Sequence, residues 1–163
     1  MPRSGTNGTA RMVTLFMRMF RDGYDSQTDI SLQLRIILRA MAMLKPGGRL
    51  VYSTCSFNPV ENEAVVAAAL NANPGQYTLV DQSSALPNLK RRPGISTWKI
   101  ATQSAREEDG TRPIVWHDSY EAYTAQQSEE EKRDKGKSLP ETAWAPANAA
   151  DLGLEKWWVS DAP

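Results

Sequence analysis

Cys55 is the only cysteine in a chain of 163 residues, and it stands between two stretches of contrasting character. Ahead of it runs Arg49-Leu50-Val51-Tyr52-Ser53-Thr54, which is β-prone and too continuously apolar for an exposed edge. That run reads as an inner strand of a sheet covered on both faces. Behind it, Asn58 has the character of a helix N-cap, with Pro59 at the first helical position and Glu61 at the third. A thiol placed there lies at the carboxyl end of a strand, where open α/β sheets bind their ligands. An ordinary thiol has a pKa of about 8.5, so only about a few per cent is thiolate at neutral pH. The partial positive charge of a helix N-terminus raises that share. The position suits a nucleophile. It also suits a small residue packed at a strand end, the commoner fate of a lone cysteine, and position alone favours that reading.

The elements that would hold this residue follow from periodicity. Ile30, Leu34, Ile37, Met41 and Leu44 recur at helical spacing, with Gln33, Arg35 and Arg39 as the polar complement. Pro46-Gly47-Gly48 ends that helix. A second helix is expected from Asn58 through Val65 and Ala69 to Asn73-Pro74-Gly75, and Tyr77-Thr78-Leu79-Val80 is a further strand candidate. A shorter helix is expected over 12–22. Helix, strand, helix, strand is the alternation of an open α/β sheet. Beyond residue 101 the order weakens. Glu129-Glu130-Glu131-Lys132-Arg133-Asp134-Lys135 is a mixed charge run without apolar periodicity, and it reads as a solvated helix face or a disordered insertion. Residues 139–154 read as ordered loop with a short helix.

Bulk properties narrow the function. Lysine plus arginine number 19 and aspartate plus glutamate 19, so no net field draws in a polyanion from a distance. Contact with nucleic acid would need a local patch, for which Lys90-Arg91-Arg92 is the candidate. A solvated turn before Pro93 explains that cluster equally well. One cysteine excludes an intrachain disulfide. His117 is the single histidine and lacks Cys or His partners, so no metal site is expected. No apolar run approaches the length of a membrane span, and the first residues have no signal-peptide core. Tyr52 and Trp98 read as core residues.

Several residues match a known pattern in register. Tyr52-Ser53-Thr54-Cys55-Ser56, then Asn58-Pro59 and Glu61-Asn62-Glu63, resembles the catalytic Thr-Cys-Ser motif of the RNA (cytosine-5) methyltransferases. Leu86-Pro87-Asn88-Leu89-Lys90, Pro93-Gly94-Ile95 and Trp98-Lys99 resemble the segment after that motif in the eukaryotic tRNA-modifying branch, and Ala145-Pro146-Ala147-Asn148 with Leu152-Gly153-Leu154-Glu155 a later one. The match is weakest across 102–138. The resemblance implies an α/β chain with a partial Rossmann-like S-adenosylmethionine-dependent methyltransferase fold and a partly disordered C-terminal region. It implies that Cys55 adds to C6 of a cytosine in RNA, with tRNA the expected partner and S-adenosylmethionine the methyl donor. A nuclear or nucleolar address is implied by the same resemblance, a cytoplasmic one otherwise.

The chain also departs from the family. Pro2-Arg3-Ser4-Gly5 resembles the end of an upstream Asp-x-Pro-Cys-Ser-Gly motif, with Arg3 at the cysteine position. Arginine stays protonated and is neither a thiol nor an ordinary base. The family's Gly-rich cofactor loop and its acidic partner are expected outside this chain, since Gly47-Gly48 precede a strand candidate rather than opening a helix. The cofactor-binding residues are therefore unassigned, and both ends read as truncated. The expected division is a methyltransferase half over 1–101, a charged insertion of low order over 102–138 and an extension over 139–163. Two functions follow: an RNA cytosine-5 methyltransferase, or an inactive fragment that only binds RNA or protein.

Overall fold

The computed structural model describes residues 26–54, 56–82, 84, 87–88, 90–104, 107, 110–127, 138–156 and 158–160. Cys55, the segment 1–25 and the charge run 129–135 lie outside them, as do Leu86 and Leu89.

Helix α1 spans Ser26–Ala42. Its buried stripe is Ile30, Gln33, Ile37 and Met41, spaced three, four and four residues apart, and Leu34 and Leu38 pack beside it. Gln33, expected on the polar face, is therefore buried, because that spacing puts it on the same side as Ile30 and Ile37. After α1 the chain tightens through Lys45-Pro46-Gly47-Gly48, where the Gly48 amide donates to the Lys45 carbonyl at 2.8 Å. Proline at the second position and a glycine at φ +77° at the third are the pattern of a type II turn.

Helix α2 spans Glu63–Asn71, and every residue from Glu63 to Leu70 except Ala68 is buried. Small Ala and Val side chains let α1 approach from one side and three short 3-10 turns from another, at Glu141–Ala143, Ala149–Leu152 and Leu154–Lys156. Long-range polar pins hold the C-terminal turns in place. Trp98 Nε1 donates to the Ala143 carbonyl at 2.9 Å, and Asn71 and Asn148 exchange reciprocal amide hydrogen bonds of 3.2 and 2.8 Å. Trp98 and Tyr52 are both buried, as expected of core residues.

Helix α2 starts later than Asn58. Asn58 instead opens a turn in which its Oδ1 accepts from the Val60 amide at 3.1 Å, an Asx-type bond, and the Ala64 amide reaches back to the Pro59 carbonyl at 2.9 Å. The cap signal marks the turn, and the regular helix follows once Glu63 is reached.

The expected inner strand over 49–54 carries no ladder among the described residues. Its side chains alternate as a strand's would, with Tyr52 buried and Val51 47 % exposed, but no neighbouring strand pairs with it. The same holds for Tyr77–Val80, whose tyrosine Oη donates to the Met41 carbonyl at 2.9 Å. The strands that do form are short and antiparallel. β1 (Arg91–Pro93) pairs with β4 (Trp158–Ser160), and β2 (Ile100–Gln103) pairs with β3 (Ile114–His117), with Ile100 opposite His117 and Gln103 opposite Ile114. The β2–β3 hairpin crosses residue 101, and β3 and helix α3 (Tyr120–Gln126) lie within 102–138, so ordered structure continues into the segment expected to lack it. What organises this part is an aromatic cluster. His117 meets Tyr123 edge-on with ring centroids 5.2 Å apart, Trp144 packs against Tyr120 and Tyr123, and Thr102 Oγ1 lies 2.7 Å from His117 Nε2. Among the described residues no helix is long and apolar enough to cross a membrane.

Candidate functional site

The two residues flanking Cys55 are half-buried, and both are tied to Asn62. The Thr54 hydroxyl donates to Asn62 Oδ1, and Asn62 Nδ2 donates to the Ser56 carbonyl at 2.7 Å. The Ser56 amide donates to Thr54 Oγ1 at 3.3 Å, and Ser56 Oγ accepts from the Asn58 amide at 3.0 Å. Asn62 itself is only 3 % exposed. One carboxamide at the foot of α2 thus uses its acceptor for the residue before Cys55 and its donor for the residue after.

A second pin lies just behind the first. Tyr52 Oη donates to the Glu61 carbonyl at 2.7 Å, inside the core. Burial, reinforced by the neighbouring Glu61 charge, pushes the Tyr52 phenol well above its ordinary range, so it remains a neutral donor at any physiological pH. Glu63 is buried as well, and desolvation raises its carboxyl pKa against the opposing hydrogen bonds from its own amide and from the Ile95 amide, the latter 3.2 Å from Oε1. Tyr52 and Asn62 therefore cross-link the 50–56 segment to the turn that begins α2.

Thr54, Ser56 and Asn62 face a cleft of about 1180 Å3, whose walls include Met41 of α1, Leu70 of α2, Val51 and Gln82. The cleft opens along the two segments that carry no ladder. Of the basic cluster, Lys90 and Arg92 are exposed and Arg91 is half-buried on β1. The Arg91 guanidinium donates to the carbonyl of Gln82 at 3.2 Å, which brings the cluster to the wall of the same cleft. The structure thus joins two features that lie 35 residues apart in sequence.

The family model for 16S rRNA methyltransferase RsmB/F matches residues 2–94, more than half of the sequence and all of this site. The chain belongs to that family. Its relatives act on RNA cytosines by name. A multisite-specific tRNA:(cytosine-C(5))-methyltransferase of Schizosaccharomyces pombe is 59 % identical over 76 residues, covering 47 % of this chain and 11 % of the relative. The tRNA (cytosine(34)-C(5))-methyltransferase of Drosophila melanogaster is 50 % identical over 72 residues, covering 44 % and 10 %. A multisite-specific tRNA:(cytosine-C(5))-methyltransferase of Saccharomyces cerevisiae is 45 % identical over 85 residues, covering 50 % and 12 %. The matched stretch thus spans about a tenth of the length of these relatives. No solved structure matches the chain.

The family implies S-adenosylmethionine as cofactor, and the described residues do not fit it. None of the positive-φ glycines, Gly47, Gly75, Gly110 and Gly153, opens an α-helix. Gly48 packs so tightly on the preceding turn that an added Cβ would lie 2.9 Å from the Lys45 carbonyl oxygen, a self-contact rather than a phosphate- or ribose-sized cradle. No group of three or more His, Cys, Asp or Glu residues among the described residues could hold a metal ion, and His117 is engaged with Thr102 and Tyr123.

Sequence reasoning missed the part played by Asn62 and its neighbours. Glu61 reads as capping chemistry and Asn62 and Glu63 as part of the motif, yet all three residues are buried. The signal available was three consecutive polar residues entering a helix whose next seven residues, 64–70, are all apolar.

Proposed function

We propose that this chain carries the nucleophile of an RNA cytosine-5 methyltransferase, with Cys55 as that nucleophile and RNA, tRNA in the first instance, as substrate. The observation that carries the reading is the double tether of Thr54 and Ser56 to buried Asn62 on the wall of an open cleft. Two residues held in this way fix the chain on both sides of position 55, and a packing residue needs no such scaffold. The family's Rossmann-like domain would supply the sheet against which 49–54 and 77–80 pair.

The chemistry follows from the electronic structure of cytosine. C5 of the unmodified base is a poor nucleophile. The Cys55 thiolate forms a sulfur–carbon bond at C6, the C5–C6 π pair moves onto C5, and C5 becomes a carbon able to accept a methyl cation equivalent. After C5 has bonded to the methyl group and the donor's sulfur has left as the demethylated thioether, loss of the C5 proton to a base returns the electron pair, breaks the sulfur–carbon bond and releases the thiolate. S-adenosylmethionine is the donor the family implies. The base must leave any stack to be reached, so an unpaired or extruded cytosine is the substrate. Lys90, Arg91 and Arg92 would meet the phosphates beside it.

The test is covalent capture. RNA bearing 5-fluorocytosine, incubated with S-adenosylmethionine and the chain joined to the family's cofactor-binding half, has no C5 proton to lose and is expected to remain bonded to the protein. The adduct is expected with the wild type and is abolished by Cys55→Ala. An adduct that persists in Cys55→Ala would assign the bond to another residue. Retention of RNA on the wild type with no adduct would favour a binding role alone.

A further inference from the structure

We propose that Asn62 is a positioning residue for Cys55, a role that rests on the nucleophile reading above. Its carboxamide is buried and fully committed, with Oδ1 to the Thr54 hydroxyl and Nδ2 to the Ser56 carbonyl, so it grips the chain on both sides of the cysteine. The Ser56 amide is turned back onto Thr54 Oγ1, and Ser56 Oγ takes the Asn58 amide, so the polar groups of Ser56 are occupied within the loop. Tyr52 pins the Glu61 carbonyl, one residue before Asn62, which fixes the base of the clamp to the core. Asn62 touches neither substrate nor the reacting carbon; it acts by holding one loop conformation. The amide is required in both of its capacities. A carboxylate at 62 would keep an acceptor for Thr54 but would face the Ser56 carbonyl with no hydrogen to donate, and an alanine would release both ends.

The test uses the full chain, whose one cysteine makes thiol chemistry unambiguous. The rate of iodoacetamide alkylation is measured against pH for wild type, Asn62→Ala, Asn62→Asp, Thr54→Val and Thr54→Ser, alongside 5-fluorocytosine adduct formation and a denaturation curve for each. With the clamp removed, the cysteine should behave as an ordinary thiol, with an alkylation midpoint of about pH 8.5, and the wild type is expected to alkylate at a lower midpoint. Asn62→Ala and Asn62→Asp are expected to slow adduct formation by about 100-fold, the loss associated with a reacting group misplaced by about 1 Å. Thr54→Ser, which keeps the hydroxyl, should restore the wild-type profile that Thr54→Val loses. Wild-type alkylation and adduct rates in a folded Asn62→Ala overturn the proposal. If that variant does not fold, the same result in Asn62→Asp or Thr54→Val overturns it. A wild type that forms no adduct when joined to the family's cofactor-binding half, while alkylation still depends on Asn62, overturns the nucleophile reading and leaves the clamp standing.

Discussion

At the scale of single residues, Glu63 couples the fold to pH. Burial raises its carboxyl above the ordinary 4.5, so the native state keeps a proton that the unfolded chain has already released. Unfolding in that window releases protons, and stability falls as pH rises. The contribution is complete below pH 4.5 and is lost as pH climbs through the raised value. Exposed Glu121 runs the other way: its own amide and the Ser119 hydroxyl lower its pKa, so what it adds is present above the ordinary carboxylate value and lost in acid. Glu63→Gln keeps an oxygen for the Ile95 amide and removes the titration. The expected result is a variant at least as stable as wild type at pH 7, with the difference closing towards pH 4. Urea denaturation midpoints across that range measure it, and a gap that does not change with pH would show that Glu63 titrates normally.

At the scale of elements, the turn between α1 and the 49–54 segment sets the direction in which the chain re-enters the core. Gly48→Ala puts a methyl group 2.9 Å from a backbone oxygen that no rotamer change can move aside. A cost of about 1–3 kcal/mol is expected, as for other small-to-large changes that shift backbone. Gly47→Ala meets open space, yet should cost about 1–2 kcal/mol from its left-handed backbone alone. Chemical denaturation separates the two mechanisms, because an asparagine at 47 recovers part of its loss and one at 48 does not. Helix α1 was legible in the sequence because five apolar residues repeat at one period, and the stop at Pro46-Gly47-Gly48 because proline and glycine restrict or free the backbone directly. The strands were not, since a strand is defined by its partner. Arg49–Thr54 has strand composition and no pairing strand among the described residues, while Ile100–Gln103 and Ile114–His117 have a neighbour and only four residues each in which to show alternation. Cys55 stands out in the sequence by residue type and by the motif around it, and its role as nucleophile is a proposal. The role of Asn62 was not, because a carboxamide's partners depend on the chain folding back over six to eight residues.

At the scale of the whole molecule, balanced charge makes local geometry responsible for any grip on a polyanion. Nineteen basic residues are matched by nineteen acidic ones. Binding of single-stranded RNA should therefore carry a shallow salt dependence, set by a small number of neutralised phosphates. Replacing Lys90 and Arg92 with glutamine should reduce the slope of log K against log salt by about 1.4, roughly 0.7 for each phosphate left without its cation. Fluorescence anisotropy at four or five salt concentrations gives that slope, and an unchanged value would remove the cluster from the RNA path.

The same scale governs how the chain is made. Helix α2 is apolar on every side and finds its C-terminal cover only when Asn148 reaches Asn71, 77 residues later. At ribosomal speeds of about 5–20 residues per second, a nascent chain carries that helix half-clothed for about 4 to 15 s. During synthesis the Glu63–Asn71 segment thus lacks its C-terminal cover until that stretch is made, and a ribosome stalled before the Trp144 codon would prolong the interval for as long as the stall lasts.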